Sequence, residues 1–427
     1  MVQTMMVALA AWAFLLVLGM PIYASMILSA ILFVAAADLP MNIIPQKIAQ
    51  SGNSFPLIAA PLFILMGNIM NAAGVTDRIF GFSAACVGWV RGGLAHANIV
   101  ASVIFAGMTG SAVADAGGVG SLEIRAMKAE GYDAETAAAI TAASATIGPI
   151  IPPSLPMVIY GVSADVSIGG LFLAGVIPGL LMALALSGMV VVIAKRRGLP
   201  QSKFAGISVI WLSYKRAHWA LMTPVMLFGG MMAGIMTPTE ASAVASAYAL
   251  FLGLFVYREL TLKDIPEIVI KTMETIGVVL PLVMAASAMA WCLSISRIPQ
   301  LLIDLFSASI SSPLLYILIV NVTLLVVGCF IESIAAMLIF VPILVPIAHH
   351  MGIDPIQFGL IFILNLMIGT ITPPVGVVLF ITSKLADVSL DSMSRAILPW
   401  ILPLLTVLAA ISLWPPLTTY LPSLFLR

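Results

Sequence analysis

The sequence predicts an all-α protein that lives in a lipid bilayer, and three observations carry that prediction. Of its 427 residues, 62% are hydrophobic and 8% are charged, about a third of the charge that an ordinary soluble domain carries. Apolar runs long enough to cross about 30 Å of hydrocarbon as helices follow one another almost end to end. These runs are continuous rather than alternating with a period of two, which excludes a transmembrane β-barrel. The 33 glycines and 27 prolines refine the picture. Each breaks or bends a helix, so several spans should be interrupted where neighbouring protein satisfies the freed backbone.

Charge and motifs exclude several function classes. The 18 Lys and Arg balance the 18 Asp and Glu, so no nucleic-acid partner is expected. Cys86, Cys292 and Cys329 are scattered without metal-ligand spacing and read as small core residues. His96, His218, His349 and His350 show no metal spacing either. There is no HExxH, no GxSxG elbow and no phosphate loop, so neither an enzyme nor an ATPase is expected. The opening MVQTMMVALAAWAFLLVLGMP has no basic leader and no small-residue cleavage site, and should remain as a membrane segment.

Displacing the chain by 221 residues superposes Gly107 on Gly328, Gly131 on Gly352, Gly148 on Gly369, Pro152-Pro153 on Pro373-Pro374 and Pro178 on Pro399. ADVS recurs one residue out of register at 164–167 and 386–389. This predicts a first repeat over 1–194, a basic linker at 195–216 and a second repeat over 217–427. In the first repeat the expected elements are 5–37, 55–75, 79–91, the hairpin 95–128, the Pro-broken helix 134–163 and a closing helix 169–194. In the second they are 217–257, 271–296, 298–311, the hairpin 313–350, the broken helix 355–386 and 395–422. Whether 5–37 is one helix or two, split at Gly19-Met20-Pro21, stays open.

Basic residues in short loops prefer the cytoplasm. Lys195, Arg196, Arg197, Lys203, Lys215 and Arg216 crowd the linker, while Arg78, Arg91, Arg125 and Lys128 flank the first hairpin. The mouth of the second hairpin, at Ser311-Ser312 and His349-His350, has no Lys or Arg. The two hairpins therefore should enter from opposite faces as re-entrant pairs. An inverted repeat of this kind is the usual construction of secondary transporters.

The first hairpin tip reads GMTGSAVAD at 107–115. Its freed carbonyls and the side chains of Thr109, Ser111 and Asp115 are hard oxygen ligands suited to a cation such as Na⁺. A carboxylate inside a span is costly and usually functional, although Gly110-Ser111 would also serve simply as a tight turn. TIGPIIPPS at 146–154 breaks the following helix. A half-helix starting after Pro152-Pro153 presents free N–H groups and a positive dipole end to a substrate carboxylate, with Ser154 adding a hydroxyl. GCFIES at 328–333 and GTITPP at 369–374 are the second-repeat counterparts, adding Thr370, Pro373 and Pro374 to the substrate candidates. Glu332 reads as an ion ligand, a protonatable coupling group or an acid kept neutral by burial. Thr370 and Thr372 read as ligands or as hydroxyls bonded back to a carbonyl four residues earlier. Thr237, Pro238 and Glu240 in MTPTEASA fit a capping box.

The segments GSAVADAGGVG, IGPIIPPS, GIMTPTEASAVAS and IGTITPPVG together resemble the large membrane subunit of the tripartite ATP-independent periplasmic (TRAP) transporters, the DctM-like family. That resemblance implies a multi-pass protein of the bacterial inner membrane and an elevator-type carrier driven by sodium. It also implies two partners, a separate small four-helix membrane subunit and a periplasmic substrate-binding protein, and an organic acid anion as cargo. Carried over position by position, it implies one sodium at Thr109, Ser111, Asp115 and Gly148. A second would sit at Gly328, Glu332, Ser333, Gly369 and Thr372, where the acid Glu332 stands in place of an expected small or polar residue. The competing expectations are a free-standing carboxylate carrier that needs no binding protein and an intramembrane hydrolase using Ser111 or Asp115. The hydrolase lacks a partnered base.

Overall fold

Helices account for every regular element in the described residues of the computed structural model, which are 1–309 and 312–425. Seven of them are long and apolar enough to cross a bilayer: Phe55–Ala72, Ile168–Arg197, Pro238–Val256, Ile265–Ile295, Pro313–Phe330, Ser333–His350 and Leu390–Leu413. Six more apolar helices are shorter, among them Gly93–Thr109, Leu155–Ala164, Pro355–Thr370 and Val377–Ala386. These four stop short because the chain turns or breaks at one end of each.

The open question over 5–37 resolves as two helices, Val2–Val17 and Ile22–Ala36, because Gly19 takes a positive φ of 82° and Pro21 cannot continue a helix. The 217–257 segment is likewise two helices, Ile207–Met232 and Pro238–Phe251, with Gly234 at φ 68° between them. Thr237 and Glu240 form the expected capping box at the second of these.

The basic linker is shorter than 195–216. Lys195 to Arg197 finish the helix Ile168–Arg197, and Lys215 and Arg216 lie inside Ile207–Met232. Arg and Lys extend a helix readily when its neighbours do, so a run of charge alone did not mark a loop. The expected 79–91 piece forms earlier, at Val75–Val87, and an additional helix, Ile43–Gly52, has no counterpart in the sequence reading. Of the expected 298–311, the helix Ile298–Ser309 is seen, and Ser311 lies outside the described residues.

Each polar-tipped pair is a helical hairpin. Gly93–Thr109 turns at Gly110, φ 58°, and returns in two pieces, Ala112–Gly117 and Val119–Ala129. Pro313–Phe330 turns through extended Ile331 and Glu332 and returns as Ser333–His350. Both broken helices start from an aspartate cap. Asp133 accepts from the Thr136 N–H at 2.9 Å, and Asp354 accepts from the N–H groups of Ile356 and Gln357 at 2.9 Å. The ADVS segments also fold alike. Asp165 and Asp387 take the left-handed conformation that Asp tolerates, and Ser167 and Ser389 cap the closing helices Ile168–Arg197 and Leu390–Leu413.

Packing crosses between the halves. The first hairpin's returning pieces pack on Val377–Ala386, while Leu155–Ala164 packs on the second hairpin's Ser333–His350. The innermost elements are Ala134–Ala145 and Pro355–Thr370, buried continuously over Thr136–Ala145 and Gln357–Thr370 respectively. Around the outside, Val17, Leu184, Ile207 and Ile235 are 69–86% exposed. Such a rim suits lipid or a membrane partner rather than water.

Candidate functional site

The first hairpin tip meets the first helix break directly. The Leu155 N–H donates to the Gly110 carbonyl at 3.3 Å. A methyl at Gly110 would collide with the Pro153 carbonyl, so only glycine allows this approach with positive φ. Asp115 is 3% exposed. Its Oδ1 accepts from the Thr109 hydroxyl, whereas its Oδ2 is buried with no donor among the described residues. A Cβ at Gly148 would collide with that free oxygen. Thr109, Asp115 and Gly148 therefore converge, with Ser111 one turn away as the cap of Ala112–Gly117, accepting from the Ala114 N–H at 3.4 Å.

The second tip and break also touch, since the Gly376 N–H donates to the Cys329 carbonyl at 3.2 Å. A methyl on Gly328 would lie 3.0 Å from the Gly369 Cα, so two glycines let the backbones meet. Side-chain chemistry differs here. Glu332 is exposed, which removes the reading of an acid neutralised by burial. Its carboxylate accepts from the N–H groups of Ile334 and Ala335, at 2.9 and 3.1 Å, and from the Ser333 hydroxyl at 2.9 Å. It is a helix cap, a use of the acid that its place in sequence did not suggest. The hydroxyls of Thr370 and Thr372 donate back to the Met367 and Ile368 carbonyls, each at 2.7 Å.

At the breaks, Pro152 and Pro153 are buried, while Pro373 is half-buried and Pro374 exposed. The Ser154 hydroxyl donates to the Pro149 carbonyl at 2.5 Å and accepts from the Met157 N–H at 3.2 Å. It is committed to capping Leu155–Ala164.

The two tips share a cavity of about 510 Å³, lined by Tyr23, Ser111, Val113, Thr275, Glu332 and Ala335 among others. An adjoining cavity of about 320 Å³ is lined by Asn68, Asn71, Thr109 and Ser111. A larger one, about 680 Å³, lies beside the Arg78–Glu259 ion pair and contains no tip residue. Neither ring of Pro152 and Pro153 lines the shared cavity; Leu155 at the start of the half-helix does.

Sequence reasoning missed a buried polar cluster behind the first tip. Asn98 donates to Glu123 Oε2 at 2.6 Å and to the Thr141 hydroxyl at 2.9 Å, and its Oδ1 accepts from Ser144 at 2.5 Å. Asn98 and Glu123 are 25 residues apart, and helical periodicity across the Gly117-Gly118 break gives no signal that joins them.

Paired helical hairpins and broken helices enclosing cavities define a membrane-transporter fold. Two solved structures share it: the Alcanivorax borkumensis YdaH transporter, at TM-score 0.66 and 14% identity over 88% of this chain and 90% of that one, and Neisseria gonorrhoeae MtrF, at 0.62 and 12% over 87% and 83%. The family described as "Tripartite ATP-independent periplasmic transporter, DctM component" matches residues 9–417. The chain is 45% identical to the sialic acid TRAP transporter large permease SiaM of Vibrio cholerae, covering 97% of each. It is 40% identical to the sialic acid TRAP permease SiaT of Haemophilus influenzae, covering 98% of this chain and 68% of that one. With the 2,3-diketo-L-gulonate TRAP large permease YiaN of Escherichia coli it shares 38%, covering 94% of each. The chain belongs to the DctM family: it is the large membrane permease of a TRAP transporter, an integral membrane protein and not an enzyme.

Proposed function

We propose that this permease imports an organic acid anion against its gradient by coupling it to Na⁺. The cargo is handed over by a periplasmic binding protein, and in the bacterial inner membrane a small four-helix subunit keeps the scaffold of the permease fixed while its transport part moves. The observation that carries the ion-coupled reading is the buried Asp115 carboxylate, whose donorless oxygen points at Gly148 where the hairpin tip meets the helix break. A carboxylate so placed is neutralised well by a small cation, with Thr109, Ser111 and the carbonyls of the break as further oxygens. A second sodium is proposed at Gly328, Ser333, Gly369 and Thr372. There the Glu332 carboxylate contributes charge while it caps its helix.

The cavity between the tips is the proposed substrate site, closed by Ser111 and Leu155 on one side and Glu332 on the other. The start of Leu155–Ala164, preceded by Pro152, Pro153 and Ser154, offers the positive helix end for a carboxylate. Thr370, Pro373 and Pro374 form the matching break. In this reading the halves 1–194 and 217–427 are inverted repeats, the connection between them is cytoplasmic, and the hairpins with the broken helices move as an elevator against the outer helices. The relatives include two sialic acid carriers at 45% and 40% identity, which makes sialic acid the first cargo to try.

The test is uptake of labelled sialic acid, keto acids and C4-dicarboxylates into proteoliposomes holding this chain and its small subunit, with binding protein outside and an inward Na⁺ gradient. Accumulation that needs both sodium and the binding protein, with a sodium requirement that rises at least about tenfold in Asp115→Asn, is the expected result. Uptake indifferent to sodium would remove the ion sites, and uptake without a binding protein would make the chain a free-standing carrier.

A further inference from the structure

We infer that Glu123 is a proton-binding site, separate from the sodium sites, that makes this transporter respond to pH. Glu123 lies on Val119–Ala129, the last piece of the first hairpin, and is 1% exposed. Its Oε2 accepts one N–H of Asn98 at 2.6 Å, and its Oε1 is buried without a donor among the described residues. A carboxylate taken out of water needs a countercharge or a proton. Among the described residues no ion pair includes Glu123.

The charged groups on every element packed against this helix are otherwise engaged or distant in kind. On Val75–Val87, Arg78 is paired with Glu259 and Asp77 is exposed. On Val377–Ala386, Lys384 sits 4.4 Å over the Phe380 ring. On Ala134–Ala145 the titratable group is the acid Glu135, and on Gly93–Thr109 it is His96, whose Nε2 is buried without a partner. On its own helix, Lys128 donates to the Ala386 carbonyl at 3.0 Å and Arg125 is exposed. On Ala112–Gly117, which also packs against this helix, the titratable group is Asp115, another acid. A second acid on a packed neighbouring helix supplies no countercharge and raises the need for neutralisation.

A metal ion is the wrong neutraliser here. Asn98 turns its N–H edge toward Glu123 and Thr141, and its carbonyl toward Ser144. An amide N–H edge repels a cation but leaves Oε1 free to carry a proton while Oε2 keeps its hydrogen bond. The proton also reaches transport geometry. Thr141, which binds Asn98, lies against Gly120, and Gly120 lies against the Asp115 backbone. Ionising Glu123 therefore adds a negative charge to the packing group that carries the proposed sodium ligand and strengthens its hold on sodium, which slows release.

The experiment compares the complete transporter carrying native Glu123, Glu123→Gln or Glu123→Asp in proteoliposomes, measuring sodium-driven uptake from pH 5.5 to 8.5. Gln keeps the acceptor for Asn98 and imitates the neutral acid. Native uptake should fall by about tenfold per pH unit above its midpoint, the Gln variant should stay flat within about twofold, and the Asp variant should keep the fall with a displaced midpoint. Infrared spectra of the purified chain give a readout independent of uptake. A protonated-carboxyl C=O band that titrates over the same range, and is missing in Glu123→Gln, is expected. Identical pH profiles in native and Gln proteins, or no such band in the native chain at neutral pH, would overturn the inference.

Discussion

The two hairpin tips have one backbone plan and opposite treatments of their acid. In the first half Asp115 lies inside the returning helix, buried, with one oxygen bonded by Thr109 and the other given no donor. In the second half Glu332 sits in the turn itself, exposed, and three donors surround it. The polar clusters behind the tips differ in the same sense. The first contains the carboxylate of Glu123, whereas the second joins Asn365, Asn321 and Ser412 by bonds of 2.8 and 3.1 Å with no charge at all. Backbone architecture and the placement of charge are thus independent. Glycines and prolines set the first, and the depth at which an acid falls along its helix sets the second.

The largest effect that sharpens this comparison is expected from Gly148→Ala, whose methyl falls on the free Asp115 oxygen. Overpacking of this kind costs about 1–3 kcal/mol, so uptake should drop by up to about 100-fold, while size-exclusion profiles show the folded protein. Next comes the pair Asp115→Asn and Glu332→Gln. The sodium concentration for half-maximal uptake should rise at least about tenfold in the first and under about threefold in the second, which instead loses about 1 kcal/mol of cap stability in a thermal melt. Equal sodium shifts in the two variants would break the comparison.

The hydroxyls extend it to smaller effects. Thr109→Val strips Asp115 of its one donor and should raise the sodium requirement about threefold to tenfold, a loss of about 1 kcal/mol. Thr372→Val removes a hydroxyl that donates to the Ile368 carbonyl while its lone pairs face the proposed second sodium, and the sodium requirement should rise by under about threefold. Smallest is Ser412→Ala, which takes one uncharged hydrogen bond from the second cluster. It should lower thermal stability by about 1 kcal/mol and leave the pH profile of uptake unchanged, in contrast to any change at Glu123.

Much of the architecture was legible because special backbone leaves a trace in residue type. Gly-Tyr-Asp and Gly-Ile-Asp became left-handed glycines followed by aspartate caps, and the repeated Pro-Pro segments became the two breaks. That Thr109 and Asp115 belong with Gly148 came from the family resemblance, carried over position by position. What escaped the sequence reading had no such trace. Ile43–Gly52 is short and half polar, so it matches neither a span nor a loop. The Asn98–Glu123 bond joins two faces whose rotation depends on the break at Gly118. Glu332 looked like a membrane acid because its neighbours are apolar, yet the turn places it at an open cavity.

By itself, the sequence determined the solvent, the helical class, the positions of turns and breaks, and the family. The first three follow from composition and from residues that permit or forbid a local backbone conformation, and the family from the resemblance of four motif segments taken together. Tertiary structure alone decided which acid has its oxygens bonded and which keeps, among the described residues, an oxygen without a donor. That depends on where donors on separate helices stand in space, and a hydrogen bond forms or fails over a few tenths of an ångström that no linear spacing encodes.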